Sequence, residues 1–150
     1  MSATTSRHIY LADDDADDRL LFEDALVEID CHAQLTFAEN GKKLMELLNP
    51  PPKPLPDILF LDLNMPLKNG YECLAEIRQD NSRLKNLRIV VLTTSQDERN
   101  VEKVFGLGAS FYAVKPTDFM KLKQLLEKIL AIQWCEKGLQ PNKKQFMLSA

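Results

Sequence analysis

Ile58-Leu59-Phe60-Leu61-Asp62-Leu63-Asn64-Met65-Pro66 is the stretch on which the fold turns. Four consecutive apolar residues satisfy a strand covered on both faces, as in the middle of a parallel sheet. Asp62 then sets a charge at the carboxyl end of that strand, the position where open α/β sheets bind ligands. Working outward, three more apolar segments end in polar groups. His8-Ile9-Tyr10-Leu11-Ala12 runs into Asp13-Asp14-Asp15, Ile89-Val90-Val91-Leu92 into Thr93-Thr94, and Phe111-Tyr112-Ala113-Val114 into Lys115-Pro116. Carboxylates, a hydroxyl and an amine at successive strand ends point to a site for phosphate and metal.

Between these strands the apolar period lengthens to that of helices. A helix is expected from about Ala16 to Ile29, with Leu20, Leu21, Ala25, Leu26 and Ile29 as its apolar stripe. Leu35 to Ala38 reads as a strand and Gly41 to Leu48 as a short helix. Further helices are expected over Gly70 to Gln79, Asp97 to Phe105 and Asp118 to Trp134. Five strands alternating with five helices predict an α/β fold, a doubly wound parallel sheet. Asn49 to Pro56 holds five prolines and reads as a stiff, polyproline-like connector rather than a docking site. One domain is expected over residues 1–134, its core starting near residue 7. Residues 135–150 lose apolar periodicity and form a tail, disordered or laid across the surface.

Bulk properties narrow the function. The chain has 150 residues, 45% hydrophobic and 27% charged, as is usual for a globular protein. A net charge of -3 gives no general attraction to nucleic acid or anionic membrane. Residues 1–8 lack the apolar core of a signal peptide, and no run is long enough to span a bilayer, so a cytoplasmic location is expected. Cys31, Cys73 and Cys135 are odd in number and widely spaced, and His8 and His32 lack partners at ligand spacing. Zinc and cysteine chemistry are set aside.

Asp17 and Asp18 suit the first turn of a helix, where the dipole favours acids. Asp13 and Asp14, nearer the strand end, would instead converge with Asp62. At about 4 Å each like-charge pair costs about 4 kcal/mol at an effective dielectric of about 20. Such a cluster stays ionised only around a cation, and hard oxygen ligands suit Mg2+. Asp62 is then either a third ligand or a nucleophile that takes a phosphoryl group as an acyl phosphate. The Thr93 hydroxyl and Lys115 ammonium are suitable donors to such a group. For Lys115-Pro116, a cis bond that would aim the lysine inward stands beside the commoner trans turn.

These motifs, with Gly70 and Gly108-Ala109-Ser110 in the same order, resemble the receiver domain of bacterial two-component response regulators over residues 7–134. The resemblance implies a flavodoxin-like sheet of five strands in the order 2-1-3-4-5, an order that alternation alone does not fix. It also implies Asp62 as phosphoacceptor and Asp13, Asp14, Asp62 and the backbone carbonyl of Asn64 as ligands of Mg2+. Thr93 and Lys115 would contact the phosphoryl oxygens, and Thr93 and Tyr112 would form the switch. Leu92-Thr93-Thr94-Ser95-Gln96, the long connector and Trp134 are similar to the stand-alone regulators associated with phytochromes.

The expected function is a single-domain response regulator. It would receive a phosphoryl group from a histidine kinase or phosphotransfer protein, lose it by Mg2+-dependent self-hydrolysis and signal to a downstream protein target. It is not expected to be an enzyme in the turnover sense. With only residues 135–150 after the last predicted helix, output is expected through a partner or an oligomer. Phe119, Leu122, Leu126 and Ile129 form the core stripe of that helix. Met120, Leu130 and Trp134 lie off it, to meet a second subunit through the 96–134 face or, for Trp134, to pack under the tail. Two rivals remain. An Asp-nucleophile phosphohydrolase needs a second Asp where Asn64 stands, and an acidic pair late in the chain rather than at Asp13-Asp14. A receiver-shaped binding module that ignores phosphorylation would not need the intact acidic site.

Overall fold

The computed structural model describes residues 6–79, 83–132 and 140–149. Its elements in chain order are β1 (His8–Ala12), α1 (Ala16–Ile29), β2 (Gln34–Ala38), α2 (Gly41–Leu48), β3 (Ile58–Leu61), α3 (Gly70–Gln79), β4 (Ile89–Thr93), α4 (Glu98–Gly106), β5 (Phe111–Val114), α5 (Phe119–Leu130) and β6 (Met147–Leu148). All neighbouring strands are parallel, in the order β2-β1-β3-β4-β5-β6. The doubly wound α/β reading and the order of the first five strands hold. The count of five strands does not, because β6 adds a sixth beside β5.

The two-residue period of the strands builds both halves of the core. Tyr10, Ala12, Leu59, Leu61, Ile89, Val91 and Tyr112 face the side covered by α2, α3 and α4. Ile9, Leu11, Ile58, Phe60, Val90, Leu92 and Ala113 face the side covered by α1 and α5. Burial of β3 and β4 on both faces explains why their sequences are unbroken apolar runs.

The expected α1 stripe needs correction. Phe22, Ala25 and Leu26 are buried, whereas Leu20 and Leu21 stand 57% and 46% exposed. Helical phase set by the Asp15 cap turns Phe22 inward, where its ring meets Phe60 edge-on at 5.0 Å. In α5 the stripe is Leu122, Leu125, Leu126 and Ile129, with Phe119 at its partly buried margin and Met120 exposed. This helix closes at Leu130, and Trp134 and Cys135 lie outside the described residues. The connector contains cis bonds at Asn49–Pro50 and Lys53–Pro54, and Lys115–Pro116 is trans.

Of the tail, residues 140–149 pack on the domain, and Met147 and Leu148 join the sheet as β6. Phe146 is fully buried with the α2–α4 half of the core, and its carbonyl accepts the Tyr112 N–H at 2.9 Å. Phe146-Met147-Leu148, coming after the polar stretch Asn142 to Gln145, is too short a run for any period to reveal it. Sequence reasoning also passed over Arg78. Its guanidinium donates to the carbonyls of Gly108, Leu87 and Lys85 at 2.7, 2.6 and 3.0 Å, tying α3 to the turns before β4 and β5. Burial pulls its pKa down to about 10, which leaves it charged at neutral pH.

Candidate functional site

The ladder itself brings the polar residues together. Beyond the strand ends, Asp13 N–H donates to Ala38 O (3.0 Å), Asp62 N–H to Ala12 O (3.0 Å) and Lys115 N–H to Thr93 O (2.8 Å). Each acidic or basic residue is therefore held in register with its neighbouring strand while its side chain leaves the sheet. Backbone rather than side-chain packing sets these positions.

Local structure then shapes the rim. Asp15 caps α1, accepting the N–H groups of Asp17 and Asp18, while Asp13 Oδ1 accepts the Asp15 N–H at 3.0 Å. Arg19 Nη1 donates to the Asp13 carbonyl at 2.7 Å, closing the β1–α1 turn from behind. After β3, Leu67 takes a φ of 68°, and the Lys68 N–H folds back to Pro66 O at 2.7 Å in a tight turn. That turn delivers Gly70 against the loop that follows β3. Its N–H donates to Leu63 O at 2.9 Å, and a Cβ there would lie 2.3 Å from Asp62 O. Only glycine admits α3 this close.

The carboxylates of Asp13, Asp14 and Asp62 converge, with one oxygen from each within 4.8 Å of the others. Asp13 and Asp62 are buried and Asp14 is exposed, so the group opens to solvent on one side. Lys115 Nζ reaches Asp13 Oδ2 at 2.7 Å, Asp18 Oδ2 at 2.9 Å and Asp62 Oδ2 at 3.3 Å. Asp18 is thus more than a favourable first-turn residue; it is the third partner of Lys115. Its separation of 97 residues from Lys115 gave the sequence no signal for this contact.

One ammonium against the four carboxylates of Asp13, Asp14, Asp18 and Asp62 leaves the cluster negative. Hard oxygen donors with that residual charge and an open side fit a divalent cation that keeps water in its shell. Burial raises the Asp62 pKa above its ordinary 3.8, and Asp13 adds to the rise while Lys115 opposes it. For Lys115, burial alone would lower the pKa; hydrogen bonds to Asp13 and Asp18 and the charge of Asp62 outweigh it and hold the ammonium protonated.

These shifts carry a prediction. A carboxyl with a raised native pKa favours folding when protonated, and that contribution is lost as pH rises from about 4 through the native value. In EDTA at pH 7, Asp62→Asn should therefore melt a few degrees above the parent protein. The gap should close as pH falls toward 4, and Mg2+ should stabilise the parent more than the variant. Differential scanning calorimetry checks this; a variant melting below its parent in EDTA at pH 7 would show that lost ion pairing outweighs desolvation.

Thr93 is fully buried at the end of β4, and its Oγ1 has no hydrogen-bond partner among the described residues. A buried hydroxyl without a partner costs about 1–3 kcal/mol, so an acceptor arriving beside it would be bound in part by relieving that cost. Thr94 is exposed. Tyr112 is fully buried, its hydroxyl donating to Ser95 O at 2.6 Å across the β4–α4 loop. Asn64 is exposed beside Asp62, its N–H 3.5 Å from Asp62 Oδ1. No helix among the described residues is long and apolar enough to cross a membrane.

The response regulator receiver domain model matches residues 9–127. The chain is 33% identical over 132 residues to the response regulator Rcp1 of Synechocystis, covering 85% of this chain and 88% of that protein. Among solved structures it is similar to the phosphorylated cyanobacterial phytochrome response regulator RcpA, with a TM-score of 0.75, 30% identity and coverage of 83% and 91%. The Mn2+-bound form of Rcp1 superposes with a TM-score of 0.73 at 30% identity, covering 84% and 93%.

Proposed function

The chain belongs to the response regulator receiver family, whose members are phosphoacceptor switches in two-component signalling, and from that membership we propose that Asp62 is its phosphoacceptor. The observation that carries this is the meeting of Asp62 with Asp13, Asp14 and Lys115 at the strand ends, next to a buried Thr93 hydroxyl with no partner.

An Asp62 oxygen attacks the phosphorus of a phosphohistidine on a histidine kinase or phosphotransfer protein. A P–O bond forms, the P–N bond breaks, and the imidazole leaves. Asp13, Asp14, Asp62 and the Asn64 carbonyl would hold Mg2+, which would supply neutralising charge for the transferring oxygens. Lys115 stays protonated and exchanges carboxylate partners for phosphoryl oxygens, and Thr93 Oγ1 donates to another. The acyl phosphate adds roughly one further negative charge at Asp62. Thr93 drawn toward it favours Tyr112 on the inside, which reshapes the α4–β5–α5 face for a downstream target. Hydrolysis of the acyl phosphate by water resets the site.

Similarity to the phosphorylated cyanobacterial phytochrome response regulator RcpA supports a phytochrome-associated pathway as the source of the phosphoryl group, and the same reading carries a cytoplasmic location. Acetyl phosphate with Mg2+ should yield one acid-labile phosphoryl adduct by intact mass, and EDTA should prevent it. A homodimer through residues 96–134 is the second part of this reading. Exposed Met120 supports it, and its expected sign is a rise in sedimentation coefficient on phosphorylation. Monomer alone at every concentration, with and without the adduct, would remove the dimer.

A further inference from the structure

We propose that residues 140–149 are a latch on Tyr112, docked when its ring is inside and loosened when the ring leaves, so that phosphorylation and tail docking strengthen each other. This rests on the assignment of Asp62 as acceptor and of Tyr112 as switch.

The geometry is specific. Phe146 is fully buried, its ring 4.9 Å from Phe105 of α4 and 6.4 Å from Tyr112 of β5, all on the same face of the sheet. Since β4 and β6 flank β5, a Tyr112 ring moving away from Thr93 moves toward β6. Phe146 stands on that side. An outward Tyr112 and a docked Phe146 compete for one space, and the docked state observed has Tyr112 inside with its hydroxyl on Ser95 O.

The rest of the segment anchors on elements that line the same face. Gln140 Nε2 donates to Phe105 O at 2.7 Å and Ala109 O at 2.8 Å. Lys143 pairs with Glu102 of α4, and Lys128 of α5 donates to Ser149 O at 2.6 Å. Tail and face thus share α4, β5 and α5, and a shift in any one is felt by the docked segment. Two states that both sites bias are the requirement for coupling, and its reciprocity follows from linkage. A partner of this face then meets either a covered or an uncovered β5 edge, according to the tail.

The Tyr112 amide reports docking directly because its acceptor is Phe146 O at 2.9 Å. The Lys115 amide, bonded to Thr93 O within the inner sheet, is the control. Hydrogen exchange of both is followed by NMR, with Mg2+ alone and with Mg2+ and excess acetyl phosphate, and the intact mass of each sample is read in parallel. With the adduct present, Tyr112 exchange should slow about tenfold more than Lys115 exchange, within the usual range of coupling between sites. Phe146→Ala should keep the adduct at Asp62 and lose this response. An adduct with Tyr112 exchange unchanged or faster overturns the latch and leaves the phosphoacceptor standing. Neither adduct nor exchange response overturns both.

Discussion

Asp62→Asn should show no Mg2+-dependent, acid-labile phosphoryl adduct under conditions that label the parent protein. The amide is nearly isosteric, so the loss would reflect chemistry and not collapse of the site. A carboxylate oxygen attacks phosphorus and leaves an acyl phosphate; the amide lacks the charge to do so. Asp13 and Asp14 each bring a carboxylate oxygen within 4.8 Å of one from Asp62, yet each is committed differently. Asp13 holds Lys115 at 2.7 Å and the Asp15 N–H at 3.0 Å, whereas Asp14 is exposed. Asp13→Asn should therefore reduce labelling through the metal while keeping the adduct on Asp62. Full labelling of Asp62→Asn at another site would sink the assignment. Sustained phosphate release from a monoester by the parent protein would favour a phosphohydrolase, and partner binding indifferent to Asp62→Asn would favour a phosphorylation-independent module.

Lys115→Ala should cost about 3–5 kcal/mol of stability in metal-free protein at pH 7, the usual effect of removing one partner from a buried ion cluster. The ammonium is 13% exposed and touches carboxylates that are 3% and 9% exposed, Asp13 and Asp62, so solvent screens them poorly. Without it, Asp13 and Asp62 face each other unneutralised. The loss should shrink as pH falls, because Asp62, already raised by burial, then takes up a proton that relieves the repulsion. Mg2+ should restore part of the stability by binding only the folded state. Labelling should also fall, since no cation remains to meet the phosphoryl oxygens from the β5 side. Urea denaturation at pH 7 and pH 5, with EDTA or Mg2+, measures the three effects on stability, and intact mass after acetyl phosphate measures the labelling. A cost below about 0.5 kcal/mol, typical of a surface substitution, would show that Lys115 is not the cluster's counter-charge.

Asp13, Asp62, Thr93 and Lys115 were legible because each breaks an apolar strand at its carboxyl end, where strand burial leaves a polar residue unexplained. Strand and helix limits from residue 8 to residue 114 were legible within a residue for the same reason: periods of 2 and 3.6 are local properties. Asp18 was not. A first-turn acid is satisfied by the helix dipole alone, so its pairing with Lys115 leaves no mark in the surrounding residues. Arg78 reads as a surface charge until the turn before β4, which follows α3 directly, and the turn before β5, some 30 residues on, are seen to present carbonyls to it together. Leu20 and Leu21 misled for the opposite reason, since apolar residues on a helix need not face its core.

By itself, then, the sequence determined the alternation of strands and helices, the placement of a charged or hydroxylic residue at each of four strand ends, and the chemistry that such a set supports. These follow from period and residue type, which neighbours along the chain are enough to establish. Tertiary structure alone decided which carboxylates share Lys115, that the Thr93 hydroxyl is buried without a partner, that Tyr112 points inward, and that Phe146 carries a sixth strand onto β5. Each of those depends on contacts between segments far apart in the chain, where the energy lies in burial and pairing that no local pattern encodes.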